Sequence, residues 1–209
     1  GSIYLLITPV YNFIMPVFSK LHSENNVSTI QFLYLQFSKI FASVLIPLVG
    51  FIALYTNELL SIWLKESQSI GFIFPVTIYL TIGAGFHGLM YIPYALTIAT
   101  GATYIALRIN LAILCLALPL FAFVIPNYGA VGAAICWLTI MCLYFIFGSV
   151  YTHVKIFKSL LLRWYFNTLG FAFFGVVLLH LVHMVLTSKT QNSYVIVLSG
   201  GLTLLFVIS

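Results

Sequence analysis

Seven long apolar runs, separated by short polar breaks, set out the plan of this chain. They are Ile3 to Phe18, Phe37 to Tyr55, Ile70 to Ala99, Ile105 to Ile125, Ala130 to Tyr151, Trp164 to Leu186, and Tyr194 to the end. Each run is continuous, without the apolar/polar alternation of barrel strands about ten residues long, so the runs predict membrane-crossing helices. The breaks carry helix-ending residues. His22 to Thr29 is the most polar stretch, Asn57-Glu58 and Lys65 to Ser69 flank the next loop, and Pro126-Asn-Tyr-Gly129 predicts a tight turn. The third run is long enough to tilt or to extend past the hydrocarbon. Gly83, Ala84, Gly85 and Gly88 crowd that run, and Gly129, Ala130, Gly132, Ala133 and Ala134 open the fifth. Such small residues let helices approach closely where lipid supplies no hydrophobic drive. Pro47, Pro75, Pro93 and Pro119 lie inside runs and predict bends, which suit a transporter lobe better than a rigid anchor.

Composition makes the membrane assignment firm. Hydrophobic residues form 63% of the 209 and charged residues 5%, against about 25% charged in soluble domains. Eight basic and three acidic residues cannot cover a soluble surface of this size, so most of the exterior must face lipid. Gly1-Ser2 has the look of a cloning scar, and no basic segment of signal-peptide type opens the chain. Both ends fall inside apolar runs, so the chain is expected to be a piece of a longer protein. Cys115, Cys136 and Cys142 sit in apolar runs without paired spacing, and read as small buried residues rather than metal or disulfide partners.

Charge then orients the spans. With the loops alternating sides, Lys20, Lys39, Arg108, Lys155, Lys158 and Arg163 fall on one side, and Lys65 and Lys189 on the other. The positive-inside rule makes the first side cytoplasmic. His153 to Arg163 is expected as a basic cytoplasmic loop, either a topology determinant or a contact for anionic head groups. Glu24, Glu58 and Glu66 are the only carboxylates, and all are expected in loops. Within the spans, then, only histidine would be ionisable apart from Lys39 at a helix end. There is no HExxH, no phosphate-binding glycine loop after a strand, and no Ser/His/Asp set, so an enzyme is not expected, nor any cofactor, metal or nucleic-acid partner.

His87 stands near the middle of the third run. At helical spacing it shares a face with Gly83, Tyr91 and Tyr94. Two readings apply: a cavity-lining strip that hydrogen-bonds sugar hydroxyls or a phosphate, or a histidine bonded to a neighbouring helix. Arg108, at the cytoplasmic start of the fourth run, is either an ordinary interfacial arginine or a bidentate partner for a lipid diphosphate. His180 and His183, one turn apart, lack a third metal ligand and read as interfacial residues.

Four ordered motifs carry a resemblance. Pro16-Val-Phe-Ser-Lys-Leu21 resembles the P-x-x-S-R/K-L ending of the second helix in each half of Wzx-type polysaccharide flippases. Glu58-Leu-Leu-Ser-Ile-Trp-Leu64 is similar to the ending of their next helix, although Lys65 stands where glycine is common. Thr97-Ile-Ala-Thr-Gly-Ala102 and Pro126-Asn-Tyr-Gly-Ala-Val-Gly-Ala-Ala134 resemble two later turns of the same half.

The resemblance covers about residues 9 to 151. It implies the multidrug/oligosaccharidyl-lipid/polysaccharide exporter superfamily, whose two helical lobes form a V around a central cavity and work by alternating access. The expected fold is therefore all-α: a polytopic membrane bundle forming the C-terminal lobe of a two-lobed transporter, with two extra helices. Residues 1–151 would be helices eight to twelve of the family, and 152–209 the basic loop and the added pair. The implied function is flipping of an undecaprenyl-diphosphate-linked oligosaccharide across a bacterial inner membrane, for O-antigen or lipopolysaccharide-type surface polysaccharide. The N-terminal lobe would be its intramolecular partner and would hold many of the cationic groups for the diphosphate. A drug/cation antiporter of the same superfamily is the alternative. A membrane-embedded glycan polymerase or ligase, which would carry a large periplasmic loop, is disfavoured.

Overall fold

A computed structural model describes residues 3–64, 67–190 and 192–208. The readings placed on Gly1, Ser2, Lys65, Glu66 and Ser209 lie outside those residues. The described chain is all-α: α1 (Ile3–Ser23), α2 (Val27–Leu54), α3 (Thr56–Leu64), α4 (Ser67–Leu89), α5 (Tyr91–Ala99), α6 (Thr103–Leu143), a π-helical turn (Tyr144–Gly148), α7 (Ser149–Ile156), a 3-10 turn (Lys158–Leu160), α8 (Leu161–Lys189) and α9 (Ser193–Ile208). Val27–Leu54, Ile70–Ala99, Thr103–Ile156 and Lys158–Lys189 are long and apolar enough to cross a membrane, and Ser193–Ile208 is a shorter apolar helix.

The 54-residue run Thr103–Ile156 would be roughly 80 Å long if straight, against a hydrocarbon core of about 30 Å. It folds back at Gly129, whose φ of 57° and ψ of −142° belong to glycine alone. The Nη1 of Arg108, near the start, then donates to the Oη of Tyr151, near the end, at 3.1 Å. The predicted Pro126–Gly129 turn is therefore a hairpin between two antiparallel legs.

Helix directions can be read from the contacts. Ser38 meets Trp164, Gly50 meets Val176 and Glu58 meets His183, so α2–α3 and α8 run parallel. Ile7 touches Gly88 while Tyr11 touches Tyr91 and Tyr94, so α1 and α4–α5 are parallel too. Gly85 faces Val49 and Gly88 faces Leu45, which sets α4 antiparallel to α2. Gly200 packs on Tyr55 while Val207 reaches Gly175, turning α9 back again. Every relation agrees with helical segments that alternate in direction along the chain.

The core forms where α1, α2, α4–α5 and the start of α8 meet. Ile7, Ile14, Phe18, Tyr34, Leu45, Leu96 and Trp164 are fully buried there. Outside it, large apolar side chains such as Phe13, Phe123, Phe166, Phe174 and Leu205 are exposed, the inverse of a soluble surface and the pattern a lipid-facing bundle requires.

Several sequence expectations change. The second span begins at Val27, ten residues before Phe37, because the Asn26 side chain caps the helix by accepting from the Thr29 amide at 3.2 Å. The expected loop around Asn57-Glu58 is the helix α3, and Glu58 is buried in the bundle. Cys136 is buried as expected, whereas Cys115 faces outward from the first hairpin leg.

Candidate functional site

The third span breaks where its polar strip lies. Pro93 has no amide proton for the Leu89 carbonyl, and the regular helix stops. Met90 takes a ψ of −6°, and its amide bonds the His87 carbonyl at 3.1 Å in a tightened turn. His87 therefore stands in the last turn of α4 and Tyr91 opens α5, with their rings edge to face at 5.3 Å. The other wall comes from the second hairpin leg. A Cβ at Gly83 would stand 2.6 Å from the Trp137 ring, so only glycine lets this leg approach. Trp137 then lies 6.2 Å from His87. Tyr144, the first residue of the π-helical turn, comes to 5.9 Å from the same imidazole. Such turns recur at functional positions because one extra residue redirects the side chains.

His87, Met90, Tyr91, Tyr94, Asn110 and Tyr144 line a polar pocket of about 250 Å³. Tyr11 of α1 braces its phenols from outside, 6.1 Å from Tyr91 and 5.9 Å from Tyr94. The predicted strip of His87, Tyr91 and Tyr94 is thus assembled around one space. Asn110, Tyr144, Tyr11 and Trp137 were not singled out in the sequence; they arrive from three other helical segments, and no local spacing announces them. The lining offers phenol, amide and imidazole groups beside aromatic faces, with no carboxylate, Lys or Arg. That set can hydrogen-bond and stack on a neutral polyol. The volume is below the 300–1,000 Å³ typical of pockets for drug-sized ligands, so it suits one unit of a larger ligand.

Arg108 does not join this pocket. It is exposed, held to Tyr151 and placed 5.3 Å from the centre of the Tyr104 ring. Asn110, two residues on, faces the pocket instead, since helix positions i and i+2 look in different directions.

Two further polar clusters correct the sequence reading. His183, expected as interfacial, lies 3.3 Å through Nε2 from the Glu58 Oε1, and its ring packs on Tyr55 at 4.6 Å. The Glu58 Oε2 and the Tyr55 Oη are both buried and unbonded there. A carboxylate expected in a loop is therefore inside the bundle, because α8 and α9 close over α3. His180 is exposed on α8. At the opposite end, His153 is buried rather than part of a solvated loop. Its Nδ1 lies 2.7 Å from the Ser149 carbonyl, which can only accept, so Nδ1 carries the proton. Nε2 then accepts from the Tyr34 hydroxyl at 3.0 Å. Among the described residues, no three His, Cys, Asp or Glu side chains gather as metal ligands.

These features define the class: a multi-pass, all-α membrane bundle with a polar pocket between its helices. Over 92 residues the chain is 35% identical to a protein of Shigella flexneri described as "Putative O-antigen transporter". The matched stretch is 44% of this chain and 22% of that protein, so the chain spans well under two thirds of its relative. No family model matches the chain, and no solved structure does.

Proposed function

We propose that the chain is part of a transporter that turns a lipid-linked oligosaccharide from the cytoplasmic to the outer leaflet of a bacterial inner membrane, for surface polysaccharide synthesis. The observation that carries this reading is the polar pocket between a broken helix and a π-helical turn, lined by neutral hydrogen-bonding groups. Polar groups are expensive at membrane depth and mark pathways for polar substrates, and discontinuous helices recur at the binding sites of transporters. A glycan matches the lining better than an ion does. The partial identity to an O-antigen transporter description supports the same substrate class. In this reading residues 1–151 form the C-terminal lobe and 152–209 an added helical pair. An N-terminal lobe supplies further cations for the undecaprenyl diphosphate, and the two lobes alternate access around the pocket.

The test is flipping of a fluorescent undecaprenyl-diphosphate oligosaccharide by the full-length protein in proteoliposomes. Protein-dependent quenching of the translocated label is expected. Active protein that moves a drug cation but leaves the glycolipid in place would replace this reading with the antiporter one.

A further inference from the structure

Beside the polar pocket, and sharing Tyr144 with it, the hairpin legs leave an apolar groove of about 760 Å³. Ile109, Ala112, Ile113 and Leu116 line one side, and Ile140, Leu143, Phe147 and Val150 face them. From Arg108 to Leu116 the lining runs for roughly 12 Å along the helix. Charge is confined to one end. There Arg108 is exposed and bonded to the Tyr151 hydroxyl, and the Lys155 ammonium stands 5.9 Å from the Tyr151 ring centre. The groove thus presents a fork of guanidinium donors at one end, an apolar track running along the helix from it, and a polar pocket across the Tyr144 wall.

We infer that this groove seats the apolar tail of a lipid diphosphate, with its phosphates on Arg108 and its first sugar at the His87 pocket. The inference rests on the glycolipid reading above and adds to it a place for the tail. Charge complementarity selects the occupant. An anionic head is matched by the two cations, a guanidinium recognises phosphate oxygens bidentately, and only an extended apolar chain fits behind them. The apolar track, the cationic end and a pocket whose Asn110 lies two residues from Arg108 correspond to the tail, the diphosphate and the first sugar of such a lipid. The position also gives Arg108 a role that the polar pocket does not.

The test is photo-crosslinking of full-length protein in neutral-lipid nanodiscs, using polyprenyl diphosphate with a diazirine in its tail. Peptides carrying Ile113 or Phe147 are expected to take the label. Arg108→Gln is expected to weaken capture about tenfold, as loss of a charge-assisted bond does, and Ala112→Trp to block it by filling the track. Labelling of wild-type protein needs no variant to fold, so the inference is exposed even if Ala112→Trp fails to express. Labels spread evenly over the lipid-facing helices would overturn it, as would equal displacement by phosphatidylglycerol, the mark of an ordinary boundary lipid. Flipping with labels outside the groove removes the groove alone. Labels inside the groove with no flipping remove the transport reading and leave a lipid site.

Discussion

His87 shows how much one side chain in the bilayer depends on its neighbours. An imidazole at this depth needs partners, and here it has a phenol on either side and an indole above. In the proposed function, His87→Ala is expected to lower glycolipid flux about tenfold or more while expression holds. Tyr144→Phe, which removes one hydroxyl, is expected to cost a few-fold, since a single hydrogen bond contributes about 1 kcal/mol. Flux of both variants at the wild-type level would reduce the pocket to helix packing. Glu58 and His183 make a second residue-scale case. His183→Ala leaves a buried carboxylate with neither oxygen bonded, and an unmet buried acceptor costs about 1–3 kcal/mol. A lower melting temperature in detergent is therefore expected. Glu58→Gln with His183→Ala should cost less than the two separate losses summed, because residues in contact are coupled. Strict additivity would mean that the pair does not interact.

At the scale of elements, the helices were legible wherever hydropathy ran long, and illegible where a polar residue belongs inside one. Glu58 read as part of a loop because its burial depends on α8, whose His183 lies 125 residues later. His153 read as solvated for the same reason, its partners Tyr34 and Trp164 coming from other helices. Pro93 correctly predicted a bend, but only the fold shows that the break falls between His87 and Tyr91. The Gly129 turn was the clearest local signal, and it has a sharp consequence. No neighbour stands within 4 Å of a Cβ built there, yet its φ is +57°, so Gly129→Ala meets backbone strain alone, about 1–3 kcal/mol. Gly201 in α9 has equally open surroundings with helical backbone, and Gly201→Ala should be neutral or stabilising by about 0.5–1 kcal/mol. Thermal unfolding of the two variants in the same detergent separates conformation from packing. Equal shifts would remove the left-handed turn from the account of the hairpin.

The whole molecule depends on alternation, and two independent observations bear on it. Apart from Lys39, which α2 carries well inside the helix, the basic residues counted to one side sit at segment ends, and the residue pairs across helices give the same directions. The pocket was only half legible for a reason that lies at this scale. His87, Tyr91 and Tyr94 share one segment and its 3.6-residue period, whereas Asn110 and Tyr144 meet them only after the hairpin has folded. The orientation has a direct consequence for labelling. With Cys115, Cys136 and Cys142 replaced by alanine, single cysteines at Lys158 and Ser188 would report opposite ends of α8, both at exposed positions. A membrane-impermeant maleimide added to intact cells freed of outer membrane should label Ser188→Cys at once. It should label Lys158→Cys only after the inner membrane is opened. The reverse order would invert the charge assignment while keeping the fold. Labelling of both from one side would break the alternation itself, because α8 would then not cross, and with it the parallel run of α2 and α8 that carries Trp164 to Ser38 and His183 to Glu58.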